Sequence, residues 1–312
     1  MDGQDLPDRA GPRAVPGRVP GAVTRAWLLV GLGVAGVSLS GPLAAAVAVP
    51  ALAVAFWRTA LGALATAPVV AAGRRSRSEL RAVRLGGPRS GRLRSTALAG
   101  LLLAVHFGTW IPSLRLTSVA TATALVTTSP LWIVAARRLR GAAVPGTVTA
   151  GAAFGVLGVV VITGLDVGRS ADALLGDALA LVGGAAGAGY AVAGERARAD
   201  LSTGVYTVLA YTVCALALLP VCLAGGVRLG GWDGTAWAQV ALLTVVAQLL
   251  GHTAFNAALP VVGATSLSLA ILLEVPGATL VAWAWLGQAP PPGAVPGVLA
   301  VVWGLALVAR TA

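Results

Sequence analysis

The sequence predicts an all-α integral membrane protein of ten transmembrane helices, arranged as two inverted five-helix repeats. The 312-residue chain is 57% hydrophobic and 11% charged, whereas a soluble domain carries about a quarter charged residues. Beyond its N-terminal segment, almost all of the chain divides into apolar runs of about 20 residues, the length of helix that crosses a bilayer. The two halves of the chain also align with each other, and this alignment predicts the repeat.

The apolar runs are separated by short connections, which makes consecutive helices antiparallel neighbours. Residues 1–24 precede the runs and are rich in Pro, Gly, Arg and Asp, so they predict a disordered cytoplasmic tail. The first run is too long for the apolar region of a signal peptide and leads directly into further runs, which favours an uncleaved first helix. The predicted helices cover residues 26–46, 49–72, 96–114, 119–136, 147–165, 173–194, 204–224, 238–258, 263–285 and 294–311.

The basic residues are distributed asymmetrically along the chain. All 22 are arginines, and alternation across ten helices puts 18 of them on the side of the two termini. The opposite side receives only Arg115, Arg169 and Arg228. This is the positive-inside pattern, which predicts a plasma or inner membrane protein with both termini in the cytoplasm. A net charge of +11 would suggest nucleic acid for a soluble protein, but the placement of these charges argues against a nucleic-acid partner.

The repeat appears when the chain is shifted against itself. A shift of 146 residues superposes the only two histidines, His106 on His252. The same shift superposes Pro130 on Pro276, Gly141 on Gly287, Gly151 on Gly297 and Gly158 on Gly304. Because each half contains an odd number of predicted helices, the second half starts on the opposite side of the membrane. The sequence thus predicts inverted repeats at residues 25–165 and 166–312, an arrangement typical of secondary transporters.

Several stretches of the chain resemble a known family. They are AFWRTALGAL in the second run, LTSVATATALVTTSPLW around the fourth, GDALALVGGAAGAGYAVAGERAR around the sixth and GATSLSLAILLEVPGATLVAWAWLGQ across the ninth. Together with the tandem halves, they resemble the drug/metabolite transporter (DMT) superfamily, in particular the EamA-type ten-helix transporters. The resemblance implies a transporter, and an exporter by direction. This chain departs from the family pattern at Ala142 and Gln288, where members often carry Glu.

Glu274 lies near the centre of the ninth run, where a charge costs about 2.5–3.5 kcal/mol on insertion scales. Desolvation favours the neutral acid in such a place. The equivalent residue of the first repeat is Thr128, so the acid is an asymmetric addition to a symmetric scaffold. A carboxyl group that gains and loses a proton could couple transport to a proton gradient. The alternative is a structural acid bonded to a backbone carbonyl or a polar neighbour.

Four further side chains are candidates because the repeat places them at equivalent positions. His106 and His252 could reach a shared central cavity, where they would bind a polar substrate or relay protons; alternatively, each ties two helices together. Trp110 and Asn256 follow the histidines by one helical turn and share a face with them. We expect all four to line the same space.

Arg58 lies about midway along the second run and is always charged. In lipid it would be costly, so it must face the cavity, pair with an acid or extend to the membrane surface. One interpretation is that it attracts anionic substrates or holds Glu274. The other is a fixed structural ion pair.

The sequence therefore predicts a secondary active transporter, not an enzyme, that moves small metabolites, amino-acid-like compounds or drugs by alternating access. Its partners would be a small-molecule substrate, the lipid bilayer and, for one coupling mechanism, protons. Metal-ligand spacings and phosphate-binding motifs are lacking in the sequence, so no metal, cofactor or ATP is expected. The alternative, a membrane-embedded enzyme or lipid-handling protein, requires catalytic groups clustered at one interface, whereas these ionisable groups are scattered near mid-depth.

Overall fold

A computed structural model of the protein describes residues 20–84, 90–163, 170–289 and 294–309. Within these ranges all regular secondary structure is helical. Most of the predicted tail, residues 1–19, lies outside the described residues, and the first helix begins at Pro20. The first half contains α1 (Pro20–Ser38), α2 (Ser40–Ala46), α3 (Ala51–Ala72), α4 (Arg74–Arg84), α5 (Ser90–Ser113), α6 (Val119–Val126), α7 (Ser129–Leu139) and α8 (Gly146–Thr163). The second contains α9 (Ala171–Arg198), α10 (Thr203–Ala224), α11 (Gly234–Leu243), a π-helix (Thr244–His252), α12 (Thr253–Ile271), α13 (Glu274–Leu286) and α14 (Ala294–Ala309).

Within the described ranges, seven helical stretches are long and apolar enough to cross a membrane. Two further apolar helices, at Gly146–Val161 and Val295–Gly304, are shorter. The longest stretch, Gly234–Ile271, includes parts of two predicted helices, and its helical geometry is interrupted at Gly263, which has φ 75° and ψ 158°. The all-helical class is thus confirmed.

Three of the predicted helices are interrupted at a proline. Proline has no N–H to donate, and its ring collides with the carbonyl four residues earlier. The prolines are Pro42, Pro130 and Pro276, and the residues four positions earlier are Ser38, Val126 and Leu272. Accordingly α1 ends at Ser38, α6 ends at Val126, and the chain leaves α12 at Leu272. The breaks are local, because Gly21–Ala46 and Val119–Leu139 each remain one helical stretch long enough to cross a membrane. Proline alone does not produce them, since α3, α10 and α12 continue through Pro68, Pro220 and Pro260.

Large apolar side chains cover much of the outer surface of the helix bundle. Leu64, Val69 and Leu139 are 65%, 72% and 89% exposed, and they lie on outward faces of helices. The interior is also mainly apolar, but it encloses a few polar side chains such as Arg58 and Gln248, which are fully buried. An apolar outer surface is the arrangement that lipid requires, because lipid offers no hydrogen bonds to exposed polar groups.

Helices of the first half pack mainly on helices of the second. Helix α5 packs along α9, α1 along α12 and the π-helix, α3 along α10, and α8 along α14. Helices α8 and α14 approach each other closely, since a Cβ atom on Gly158 would lie 2.5 Å from the carbonyl oxygen of Gly297. A Cβ on Gly304 would lie 2.5 Å from the carbonyl oxygen of Gly151. Glycine at these positions lets the two backbones meet, as small residues do in membrane helix pairs.

The arginine-rich connection between the second and third predicted helices, residues 73–95, is expected to be a cytoplasmic loop, but part of it is helical. Helix α4 exposes its arginines and turns Glu79 toward the protein, where the carboxylate accepts hydrogen bonds from the backbone N–H of Ser202 at 2.9 Å and from Arg75 Nε at 3.1 Å. Burial alone would raise the pKa of Glu79, but these hydrogen bonds outweigh it and hold the pKa below its usual value. The Glu79 carboxylate therefore fixes α4 to the start of α10.

Candidate functional site

A cavity of about 80 Å³ lies at the centre of the helix bundle. Its wall includes five of the six candidate residues: His106, Trp110, His252, Asn256 and Glu274. They come from α5, the π-helix, α12 and α13, so both halves of the chain contribute. The structure thus brings together the residues that the 146-residue shift aligns, and it adds Glu274 to them. Their roles in transport stay predictions.

Two of the three interrupted helices meet at this cavity. Thr127 and Ser129 line it at the break between α6 and α7, and Ile271 and Glu274 line it at the break between α12 and α13. The chain keeps its hydrogen bonds through both breaks, since the Leu131 N–H donates to the Thr128 carbonyl and the Val275 N–H donates to the Leu272 carbonyl. Interrupted helices of this kind commonly surround the substrate in secondary transporters.

Glu274 is the first residue of α13 and is only 6% exposed. Among the described residues, none forms a hydrogen bond or an ion pair with its carboxyl group. A buried polar group without a partner is costly, so the acid needs a proton, a water molecule or a ligand beside it. The position of Glu274 at a helix start adds an opposite influence, since the helix dipole favours a carboxylate there.

The two histidines lie close together on one side of the cavity. Their ring centroids are 6.4 Å apart, and the centroid of the Phe107 ring lies 5.2 Å from that of His252. His106 Nδ1 lies 2.8 Å from the carbonyl oxygen of Gly183, and because a carbonyl can only accept, Nδ1 carries the hydrogen. His106 therefore ties α5 to α9, while the structure gives His252 no such bond among the described residues.

Trp110 and Asn256 supply unused hydrogen-bond donors. Each side chain is 2% exposed, and Trp110 Nε1 and Asn256 Nδ2 lack partners within the described part of the chain. The Asn256 Oδ1 atom accepts from the Tyr190 hydroxyl at 2.8 Å, which orients the amide and fixes where Nδ2 points. Buried donors without acceptors are rare in proteins, and a substrate bearing an acceptor oxygen would satisfy them.

Arg58 lies behind the cavity wall rather than in it. Its Nε donates to Gln248 Oε1 at 2.9 Å and its Nη1 donates to Ser40 Oγ at 3.1 Å. The guanidinium carbon lies 4.0 Å from the centroid of the Phe107 ring, a cation–π contact. No carboxylate within the described ranges is within ion-pair distance of it. Ser40 also lines the cavity, so one hydroxyl separates this charge from the central space.

Gln248 is a site residue that the sequence analysis did not single out. It lies in the π-helix, and so does His252, which faces the cavity. π-Helices are rare in proteins, and many of those that occur lie at functional sites. The widened turn of the π-helix lets the hydroxyl groups of Tyr211 and Thr253 donate to the backbone carbonyl oxygen of Gln248, at 3.3 and 3.1 Å. The available signal was an amide in the middle of an apolar run, which also carries Gln239 and Asn256.

Comparison with known proteins identifies the second half of the chain. Residues 174–310 match the EamA-like transporter family. The chain carries an EamA-like transporter domain. The resemblance predicted from the sequence is thereby confirmed, and the EamA-like domain indicates a multi-pass membrane transporter of the drug/metabolite type. The cavity residues Tyr190, His252, Asn256 and Glu274 lie within it.

The whole bundle has a counterpart among solved structures. One crystal structure matches 95% of this chain and 98% of its own chain, with a TM-score of 0.64 and 19% sequence identity. At this identity the likeness shows the fold alone. In total, 26 chains of solved structures match, and no curated protein does.

The two departures from the EamA pattern lie away from the cavity. Ala142 and Gln288 are exposed residues just after α7 and α13. Each follows a left-handed glycine, Gly141 with φ 75° and Gly287 with φ 69°, and each backbone N–H closes the end of the helix before it. The loss of a Glu at these positions therefore changes a helix terminus and leaves the central site intact.

Proposed function

We propose that this EamA-like protein is a secondary active transporter that moves a small polar metabolite through the central cavity by alternating access. The observation that carries the proposal is the cavity itself, because it lies at the breaks between α6 and α7 and between α12 and α13. It holds an acid and two hydrogen-bond donors that have no partner among the described residues. This combination suits a transported ligand that arrives and leaves, since groups satisfied by the protein alone would have nothing to offer it.

We also propose ten membrane helices in two inverted repeats. The support is that structural features recur at the 146-residue shift. The breaks after Val126 and Leu272 occupy equivalent positions, and the paired histidines lie beside each other. In this arrangement α8 and α14 are the fifth and tenth helices, short as they are, and Gly263 separates the eighth from the ninth.

The cavity argues for a small substrate. Its volume of about 80 Å³ is far below the roughly 300–1,000 Å³ of drug-binding pockets. Trp110 and Asn256 call for an acceptor oxygen, and Glu274 suits a cationic or hydrogen-bond-donating group. Small metabolites and amino-acid-like compounds meet these requirements as the cavity stands, whereas a larger drug requires it to expand. Export as the direction comes from the family resemblance.

We propose further that Glu274 couples transport to protons. Burial favours the neutral acid, whereas the start of α13 and the nearby Arg58 cation favour the carboxylate. A group under opposed influences can exchange its proton as the cavity opens to one side and then the other. Competition between the proton and the substrate for the cavity would then link the transport of one to the transport of the other.

Transport by purified protein in liposomes tests the proposed function. A panel of radiolabelled small metabolites should include at least one that accumulates against its gradient when a pH gradient is imposed. Protein-free liposomes and liposomes with dissipated gradients are the controls. If no member of a broad panel moves faster with protein than without it, the transporter proposal is wrong.

We propose that both termini and α4 lie in the cytoplasm of a plasma or inner membrane. The support is the arginine asymmetry, and one of the exceptions has a structural reason: Arg115 donates to backbone carbonyls of Ala44, Ala45 and Val49 at the end of α2. A Cys at the exposed Ser78, in a variant without Cys214 and Cys222, should resist an impermeant thiol reagent in intact cells and react after permeabilisation. Labelling in intact cells would reverse the orientation.

A further inference from the structure

A second cavity, of about 300 Å³, opens at the ends of α7 and α9. Arg137, Arg140, Glu195 and Arg196 contribute its charged wall, together with Ala142 and Val192. We refer to it as the arginine pocket. None of its lining residues is shared with the central cavity, so the transport site does not explain it.

The charges of the arginine pocket are not balanced. Arg137 Nη2 lies 3.6 Å from Glu195 Oε2, whereas the side chains of Arg140 and Arg196 have no hydrogen bond or ion pair within the described part of the chain. Other arginines nearby are bonded: Arg92 contacts Asp200 at 2.6 Å and Arg138 contacts Thr149 at 2.9 Å. Two free guanidinium groups and one weakly paired one therefore surround an open space.

The position of the pocket limits what can enter it. Arg137 and Arg196 lie in the last turns of α7 and α9, where helix dipoles favour cations. Between two of the arginines, Leu139 is 89% exposed, which fits contact with acyl chains at the edge of the bilayer. A ligand that carries phosphate oxygens beside an apolar chain would satisfy the guanidinium groups and the leucine together.

We propose that the arginine pocket binds the phosphodiester headgroup of an anionic membrane lipid. Three arginines and one glutamate leave two positive charges, which matches a lipid with two phosphodiesters better than one with a single charge. Basic pockets between the ends of membrane helices suit such headgroups. The proposal does not depend on the transported substrate.

Binding at this pocket also bears on the kink in α12. A Cβ atom on Gly263 would lie 3.4 Å from Glu195 Oε1, so the carboxylate that pairs with Arg137 rests against the kink. A phosphate that competes for Arg137 would weaken the hold on Glu195 and alter this contact. The lipid would then act on the segment between Asn256 and Glu274 without entering the central cavity.

Native mass spectrometry of the detergent-purified protein tests the proposal. Phosphatidylglycerol, diphosphatidylglycerol and phosphatidylcholine are titrated against wild type and against an Arg137→Gln/Arg140→Gln/Arg196→Gln variant. The wild type should retain diphosphatidylglycerol most tightly. The variant should bind this lipid at least about tenfold more weakly, since charge-assisted hydrogen bonds to phosphate are lost. Phosphatidylcholine binding should not change.

The matched control is Arg74→Gln/Arg77→Gln/Arg81→Gln, which removes the same charge from exposed positions of α4. Equal retention of anionic lipid by the two triple variants would overturn the proposal. So would displacement of the lipid by millimolar inorganic phosphate, because the pocket would then be a site for free phosphate. If the first variant unfolds, Arg140→Gln/Arg196→Gln leaves the Arg137–Glu195 pair in place. This double variant should also retain diphosphatidylglycerol less tightly than the wild type and the α4 control.

Discussion

Replacing Glu274 by Gln should abolish uphill transport driven by a pH gradient while downhill substrate exchange continues at a reduced rate. Glutamine has nearly the shape of glutamic acid and keeps a carbonyl oxygen at the start of α13, but it cannot release or take up a proton. Because Glu274 has no protein partner among the described residues, the substitution breaks no hydrogen bond. We therefore expect normal insertion and stability.

The measurement is accumulation in liposomes with and without a pH gradient, compared with counterflow exchange in the same preparation. Asp172→Asn is the matched control, since Asp172 is an exposed carboxylate in the first turn of α9, and it should leave both activities unchanged. Equal loss of both activities in Glu274→Gln would indicate a structural acid. Wild-type accumulation with unchanged pH dependence would remove Glu274 from the mechanism and turn attention to the histidines.

Replacing Gln248 by Leu should destabilise the protein by about 1.5–3 kcal/mol, the range for hydrogen bonds to charged groups. Gln248 Oε1 accepts from Arg58 Nε at 2.9 Å, and leucine leaves the buried guanidinium with one fewer acceptor. A buried charge that loses a partner costs more than a pair replaced as a whole by apolar residues. The Arg58→Leu/Gln248→Leu double variant should thus be more stable than Gln248→Leu alone.

Thermal unfolding of the purified single and double variants in detergent provides this comparison. Gln239→Leu is a suitable control, because Gln239 lies in α11 of the same helical stretch and is only partly buried; it should change stability little. A double variant that is no more stable than Gln248→Leu would show that Arg58 does not depend on the amide. Transport by the double variant then reports separately whether the Arg58 charge is needed.

The apolar runs of the sequence locate the helices well, because hydropathy averaged over a membrane thickness does not depend on local backbone geometry. The same averaging explains what was missed. Hydropathy does not register the breaks at Pro130 and Pro276, although the repeat had aligned both prolines. Helix α4 was predicted as a loop, because its position depends on the contact between Glu79 and Ser202, which are distant in sequence.

Four of the five predicted cavity residues were found through symmetry, and Glu274 was found through its charge. His106 and His252 were aligned by the repeat, and their neighbours one turn later followed from helical periodicity. Gln248 has no such counterpart, since the equivalent residue of the first half is Leu102. Its contact with Arg58 arises from a π-helix, whose hydrogen-bond pattern has no clear signature in a single sequence. A residue that breaks the symmetry must therefore be recognised by its own chemistry, which a carboxyl group in an apolar run allows and an amide does not.

The reciprocal glycine contacts of α8 and α14 have a consequence under the proposed alternating access. If the two halves exchange conformations, the contact of Gly158 with Gly297 becomes one between Gly304 and Gly151, and that contact already exists. These glycine contacts would then be the same in the inward-open and outward-open states. A free-energy difference between the two states would come instead from residues without an equivalent in the other half, such as Arg58, Gln248 and Glu274.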